Sequence, residues 1–317
     1  MRVVVVGGGS WGTAFACLLR DREHEVTLAC RDAEQARAID ETGRNPKYSR
    51  ELDLRGIAAA TLAEAPIGDA ELVVLAVPSR AFAEVAAGLA GTAPVLSLTK
   101  GLDPATGRRL STRVEGRPVA VLSGPNMAEE VAAGLPSATV IASEDAALAE
   151  ELQGAINSMV FRVYVNEDLV GVELCAAAKN VIALAAGGVD GLELGDNAKA
   201  ALVTRALAEM TRLGEACGAR AETFAGLAGI GDLVATCWHP RGRNRRAGER
   251  IARGASPEEA VAEIGTVEGL TTAPVLRDLA RRVGVELPIT EGVCRILGGE
   301  SLDDLVSSLM GRTPTEE

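Results

Sequence analysis

Seven short runs rich in Val, Leu, Ile and Ala punctuate the first half of this 317-residue chain, most of them closed off by glycine, proline or charge. They are the valines before Gly7, then Glu25–Cys30, Glu71–Val77, Pro94–Thr99, Pro118–Ser123, Ala138–Ala142 and Val160–Val165. Apolar runs of that length predict buried strands, and the segments between them, such as Thr13–Asp21, carry helical spacing. Strands alternating with helices predict an α/β fold with a doubly wound, mostly parallel sheet. From about Asp168 the pattern changes. Leu169–Ala186 is apolar nearly all round, as expected of a helix inside a domain core. Asn197–Ala216 reads as a second long helix, and Arg243–Arg253, Pro257–Ile264, Thr272–Val283 and Ser301–Met310 as shorter ones. No strand is predicted after Val165. The expected organisation is a sheet domain over residues 1–168 followed by an all-helical domain over 169–317, with the substrate site in the cleft between them.

The first strand feeds directly into Gly7-Gly-Gly-Ser-Trp-Gly12 and then a helix. That order matches a Rossmann-like dinucleotide fingerprint. Gly7 permits the tight turn, Gly9 lets backbone approach a pyrophosphate, and Gly12 allows close helix–strand packing. A Gly-x-Gly-x-x-Gly alone is weak, and the strand–turn–helix context gives it weight. The second strand ends at Cys30, about 20 residues after the glycines, where a ribose-reading residue belongs. Arg31 there suits a 2′-phosphate and so NADP(H). Asp32 keeps NAD(H) open, and Arg31 can also be read as a solvated loop charge.

Composition narrows the partners. A hydrophobic content of 47% with 24% charged residues describes a globular protein, and only 3% aromatics means a core of Ala, Val and Leu. With 32 basic against 44 acidic residues the net charge is -12, which argues against nucleic-acid and membrane partners. The six cysteines lack a Cys-x-x-Cys spacing, and two histidines cannot build a His-based metal cluster, so no metal site is expected. A strand starting at the N-terminus leaves no room for a signal peptide, and a cytoplasmic setting is expected.

Several residues could carry chemistry. Lys179, beside Asn180, lies among small apolar neighbours, where burial would lower its pKa into the range of a general acid/base. A snorkelling lysine is an equal alternative. Lys100 follows a strand and falls at the carboxyl end of the sheet, where ligands bind in open α/β folds. Ser123-Gly124-Pro-Asn126 repeats that placement; both also read as plain loop starts. The glycines of Gly226–Gly231 precede Asp232, either for close backbone approach or to carry that acid. Arg241-Gly-Arg-Asn-Arg-Arg246 is a local basic run at a helix start, which suits a phosphate dianion but is also a common solvated face.

Taken together, these segments resemble the NAD(P)-dependent glycerol-3-phosphate dehydrogenase family, bacterial type. The similarity runs along nearly the whole chain. It rests on the glycine motif, Val77-Pro-Ser79, Thr99-Lys-Gly101, Ser123-Gly-Pro125 with Ala128-Glu-Glu130, and Gly171-Val-Glu-Leu174 with Lys179-Asn180. It continues through Asp196-Asn-Ala198, Leu207–Leu213, Gly226–Leu233, Arg243-Asn-Arg-Arg246 and Val267-Glu-Gly269. The resemblance implies interconversion of dihydroxyacetone phosphate and sn-glycerol 3-phosphate with NADP(H) or NAD(H), supplying glycerophosphate for phospholipids, in a homodimer. It implies Lys179 as proton donor and acceptor at the substrate oxygen, with Lys100 and Asp232 orienting that oxygen. It implies a substrate pocket of Gly124, Asn126, Asn180, Gly242, Arg243 and Asn244. The cofactor would meet Gly7, Gly9, Ser10, Trp11, Gly12, Arg31, Lys100, Ala128, Arg243, Val267 and Glu268.

The chain departs from the family pattern in three places. Gly242 stands where a hydroxyl residue is usual, so a contact there is expected from backbone N–H. Asn126-Met127 replaces a Thr/Phe-type pair, and Leu-Pro is missing after Tyr48. Two rival readings are a hydroxy-acid dehydrogenase of similar plan, which would not need Arg243 and an anion-binding loop, and a nucleotide-binding regulatory module, which would leave Lys179, Lys100 and Asp232 unemployed.

Overall fold

A computed structural model describes residues 1–300. The helix expected at Ser301–Met310 lies outside the described residues. Eight strands form one sheet: β1 (Arg2–Val6), β2 (Glu25–Cys30), β3 (Ile57–Thr61), β4 (Leu72–Leu75), β5 (Val95–Ser97), β6 (Val119–Ser123), β7 (Ser137–Ala142) and β8 (Phe161–Asn166). Their order is β3-β2-β1-β4-β5-β6-β7-β8. All neighbours are parallel except β6 and β7, which run antiparallel. The mostly parallel, doubly wound sheet predicted by the pattern is therefore present. Helices α1 (Ser10–Asp21), α2 (Ala33–Thr42), α3 (Ser79–Ala87), α4 (Ala128–Ala132) and α5 (Ala146–Ile156) connect and cover it.

The continuous valine run of β1 is explained by burial on both faces. Val3 and Val5 join Phe15, Leu19, Ile39 and Leu152 on one side. Val4 and Val6 join Val73, Leu75 and Phe82 on the other. Strand β3 is a correction to the seven strands expected. Its sequence, Ile-Ala-Ala-Ala-Thr, lacks the β-branched density that marks the others, and it is the edge strand beyond β2.

Strand order reverses between β1 and β4, and ligands of open α/β sheets bind at such a switch point. There Gly7 adopts φ +122°, and a Cβ on it would overlap the carbonyl of Ala76 at the end of β4. Only glycine makes this turn.

The remaining described chain is helical: α6 (Leu169–Gly191), α7 (Gly195–Ala216), α8 (Ala221–Phe224), α9 (Asp232–Trp238), α10 (Arg243–Ala252), α11 (Pro257–Ile264), α12 (Glu268–Val283) and α13 (Pro288–Leu297). Helix α13 has no counterpart among the helices the pattern predicted. Its start is marked by Pro288 at the first helical position, where a missing N–H costs nothing. Helix α6 is long and apolar enough to cross a membrane, with mean hydropathy 1.7, yet 89% of that stretch is buried inside the protein. It is the axis of the helical core.

Helices α6 and α10 touch backbone to backbone. A Cβ on Gly187 would collide with the Arg245 carbonyl, and one on Gly248 with the Leu184 carbonyl. That contact fixes the start of α10, and with it Arg243, relative to Lys179 two turns earlier on α6.

Candidate active site

Lys179 points into the protein and is only 5% exposed, which rules out snorkelling. Its Nζ donates to Asp232 Oδ1 and to Thr236 Oγ1, the latter at 3.1 Å. Asp232 is fully buried, at 0% exposure, and its Oδ2 accepts from Lys100 Nζ at 2.9 Å. One carboxylate therefore bridges two ammonium groups, with Ser123 Oγ 3.4 Å away. The bridge joins the segment after β5, α6 and α9, residues 53 and 132 positions apart in sequence.

The glycine-rich approach explains how Asp232 gets there. Leu227–Gly231 forms a wide helical turn, and Gly229 lies so close to the Phe224 carbonyl that a Cβ would not fit. Asp232 then opens α9, where the free N–H groups of a first turn favour a carboxylate. Both readings of the glycine run, close approach and delivery of the acid, hold.

Lys100 is held from the sheet side. Its Nζ donates to Gly124 O and Asn126 Oδ1, each at 3.2 Å. Asn126 Nδ2 donates to Thr139 Oγ1 at 2.8 Å, and that hydroxyl donates to Ser123 O at 2.9 Å. The departure at Asn126 thus has a definite chemistry: its amide oxygen accepts from Lys100. Thr139 carried no signal in the sequence, since nothing marks a buried strand threonine as a partner of a residue 13 positions away.

The electrostatics follow from this geometry. Burial pushes the Lys179 ammonium down from the ordinary lysine range to about 7, although Asp232 opposes the shift; Lys100 adds to it. Burial alone would raise the Asp232 carboxyl, but Lys100 and Lys179 together hold it below its usual range. Such a cluster can keep Lys179 poised between donor and acceptor near neutral pH.

Asn180, one residue on, donates from Nδ2 to Lys100 O at 3.4 Å. Its Oδ1 accepts from Asn244 Nδ2 at 2.9 Å, and Asn244 Oδ1 accepts from Gly269 N at 2.8 Å. The two asparagines therefore tie α6, α10 and α12 together. Arg243 opens α10 as an exposed side chain, with no ion-pair or hydrogen-bond partner among the described residues. The Gly242 N–H donates to His239 O at 3.0 Å, so it closes the turn and is not left for a ligand. The N–H groups open to an anion there are those of the first turn of α10, which has no side-chain cap.

At the switch point, the glycine motif forms the start of α1 as expected. A Cβ on Gly12 would overlap Gly7 O, while one on Gly9 would meet nothing within 4 Å. Helix α1 has no side-chain cap, which leaves the N–H groups at Ser10, Trp11 and Gly12 for an anion. The buried indole Nε1–H of Trp11 has no acceptor within the described residues. These features fit a dinucleotide. Ala128 begins α4, which packs on α1. From the helical half, Val267 is the buried N-cap of α12, and Glu268 accepts from Ser79 Oγ at 2.6 Å. Ser79, in the Val-Pro-Ser motif, thus links the two halves of the chain.

Arg31 is exposed and makes no hydrogen bond or ion pair within the described residues. Asp32 is otherwise occupied. Its Oδ1 caps α2 by accepting from Glu34 N and Gln35 N, and its Oδ2 pairs with Lys47.

Sequence comparison decides the family. Residues 2–149 match the model of the NAD-dependent glycerol-3-phosphate dehydrogenase N-terminus, and residues 168–307 that of its C-terminus. The chain is 46% identical over 325 residues to the glycerol-3-phosphate dehydrogenase [NAD(P)+] of Moorella thermoacetica, covering 99% of this chain and 97% of that protein. The chain belongs to the NAD-dependent glycerol-3-phosphate dehydrogenase family. Another relative, from Streptomyces coelicolor, is 44% identical, covering 100% of this chain and 98% of its own. Among solved structures, the glycerol-3-phosphate dehydrogenase of Coxiella burnetii superposes with TM-score 0.94 at 37% identity, covering 98% of this chain and 99% of the other. A ketopantoate reductase from Ralstonia eutropha, at 19% identity and TM-score 0.63, shares the fold alone. Family membership and the resemblance read from the motifs agree.

Proposed function

We propose that this chain interconverts dihydroxyacetone phosphate and sn-glycerol 3-phosphate with NADP(H) or NAD(H). The observation that carries the reading is the Lys179–Asp232–Lys100 bridge, buried at the carboxyl end of a sheet whose switch point is built for a dinucleotide. Family membership supplies the substrate class.

The reduced nicotinamide, when bound at the glycine motif, supplies the hydride to C2 of the ketone. The chain supplies the rest. Lys179 gives its ammonium proton to the C2 oxygen in reduction, and its neutral amine takes the hydroxyl proton in oxidation. Asp232 holds that amine and orients Lys100, whose ammonium polarises the oxygen and faces the developing negative charge. Asn126, Gly124 and Asn180 fix Lys100 from three sides. Arg243 and the open first turn of α10, including Asn244, bind the substrate phosphate, and Gly242 shapes the turn. Ser10, Trp11, Ala128, Arg31, Val267 and Glu268 line the dinucleotide site, with Gly7, Gly9 and Gly12 letting backbone approach it. The boundary between the two domains falls at residue 168, and the enzyme works as a cytoplasmic homodimer making glycerophosphate for phospholipids.

Steady-state oxidation of NADPH and NADH against a panel of small ketones tests the reading. Turnover confined to dihydroxyacetone phosphate is expected. Preference for an unphosphorylated 2-keto acid would replace the substrate assignment, and cofactor binding without turnover of any ketone would make the chain a binding module.

A further inference from the structure

The loop that follows α2, which lacks the family's Leu-Pro after Tyr48, is tied to the glycine turn by a buried amide network. Asn45 is fully buried and uses its whole side-chain amide. Its Nδ2 donates to Gly8 O at 3.1 Å and Thr13 Oγ1 at 2.9 Å. Its Oδ1 accepts from Gln35 Nε2 at 3.1 Å and from the backbone N–H groups of Lys47 and Tyr48 at 3.0 and 3.2 Å. Gln35, itself buried, also donates to Gly8 O at 2.7 Å. The short loop is thereby bolted to the turn that faces the pyrophosphate.

What this bolting delivers is Lys47. Its Nζ pairs with Asp32 Oδ2 at the end of β2, where an acidic residue reads the ribose 2′-hydroxyl in NAD-specific sites. In this chain that acid is spent twice, as the cap of α2 and as the partner of Lys47. Arg31 stands beside it without a partner among the described residues. The ribose position thus carries two cations, Arg31 and Lys47, beside an Asp32 carboxylate turned to protein groups, with the Glu34 carboxylate in the first turn of α2 also acting on Lys47.

We propose that Lys47, held in place by Asn45, is a second ligand of a 2′-phosphate and with Arg31 makes this site selective for NADPH over NADH. The inference rests on the dehydrogenase reading of the dinucleotide site. When a 2′-phosphate is present, the Lys47 ammonium turns from Asp32 to the phosphate oxygens, while Asp32 Oδ1 keeps its cap. Without a 2′-phosphate, Asp32 and Lys47 satisfy each other, and a bare 2′-hydroxyl finds no free acceptor. Selectivity in this arrangement comes from an acid withheld as much as from a base offered.

Binding of adenosine 2′,5′-bisphosphate and 5′-AMP, measured by calorimetry, tests the idea without any hydride chemistry. NADPH and NADH binding is followed in parallel by tryptophan fluorescence. Lys47→Ala should weaken adenosine 2′,5′-bisphosphate and NADPH by about tenfold or more, the scale of one charge-assisted hydrogen bond, and leave 5′-AMP and NADH as tight as before or tighter, because Asp32 Oδ2 is then free for the 2′-hydroxyl. Lys47→Arg should recover most of the loss. Asp32→Asn, which retains a capping side chain, should release Lys47 and tighten the bisphosphate. Equal loss for both ligand classes, or no loss, overturns the role of Lys47 while leaving the dinucleotide site intact. Failure of the unmodified protein to bind either NADPH or NADH overturns the dehydrogenase reading as well.

Discussion

Replacing Asp232 by asparagine removes one negative charge from between two ammonium groups and hardly alters the shape of the side chain. The amide keeps one oxygen for Lys179 or Lys100 but not both charges. An opposite charge at hydrogen-bond range raises a lysine pKa by roughly 1–3 units, and its loss lowers it by as much. Lys179, already brought down to about 7 by burial, would drop further. At a fixed pH just above neutrality, each unit removes about a factor of ten from the protonated fraction, so ketone reduction should fall about 10- to 1000-fold.

The direction of the pH dependence is the sharper test. Reduction needs the protonated lysine, so wild-type kcat should decline as pH rises through the Lys179 pKa. In Asp232→Asn the decline should start at lower pH, and the deficit should shrink on acidification. Oxidation needs the neutral amine and should be impaired much less at high pH. Chemical denaturation must accompany the kinetics, because breaking a buried ion pair can cost about 3–5 kcal/mol. The reasoning is refuted if the variant keeps the wild-type inflection and loses only amplitude; Asp232 would then orient Lys179 without setting its proton affinity.

Lys179→Ala should lower kcat by about 10²–10⁴-fold while NADPH binding stays nearly intact, and a variant retaining a tenth of the activity would remove Lys179 from the acid/base role. Arg243→Ala should raise KM steeply and lower kcat for dihydroxyacetone phosphate while barely touching unphosphorylated dihydroxyacetone; equal discrimination by mutant and wild type would put the phosphate elsewhere. Glu209 on α7 accepts the Ile289 N–H at the start of α13 at 2.8 Å, and burial raises its carboxyl from 4.5 to about 7. Between those values the folded state holds a proton that the unfolded state gives up, so this group's contribution to stability falls as pH rises through the interval. Glu209→Gln should therefore be more stable than wild type at pH 8 by up to about 3 kcal/mol in urea titrations and equal to it near pH 4.5.

How much of this was legible in the chain depends on what kind of signal each feature leaves. Strands buried on both faces announce themselves, and seven of the eight were read from their apolar runs. Strand β3 was missed because Ala58, Ala59 and Ala60 have neither a strand's bulk nor an alternating pattern. Helix α13 was missed although Pro288, Ile289, Val293 and Ile296 offered a start signal and a helical stripe. Lys179, Lys100 and Asp232 were each singled out by local context, but their meeting could not be read, because a contact across 132 residues leaves no periodicity. The resemblance carried that assignment where spacing could not. Asn45 and Thr139 were invisible for a related reason: a buried polar side chain looks like a loop or strand residue until its partners are known.

Those partners also explain why the site sits in this fold and not in either half of it. The sheet contributes Lys100 and the Gly124–Asn126 turn, which can hold an ammonium but offer no group buried enough to lose its proton near neutrality. The helical half contributes Lys179 and Asp232, which form a tight pair with no cation to share the carboxylate. Only when Asp232 spans both lysines does the charge balance leave a surplus positive charge next to a proton-labile amine. The same economy appears in the contacts that keep the halves in register. Glu173, six residues before Lys179 on α6, accepts from Ser111 N at 2.8 Å and from Arg109 at 2.9 Å on the sheet side. Glu268, at the start of α12, accepts from Ser79 at the start of α3. Each carboxylate comes from the helical half and each donor from the sheet half, so relative sliding of the two would break buried or half-buried charge contacts before it moved Lys179 away from Lys100. A site whose acid and whose charge stabiliser come from different layers needs such ties, because a displacement of about 1 Å in a reacting group can cost about two orders of magnitude in rate.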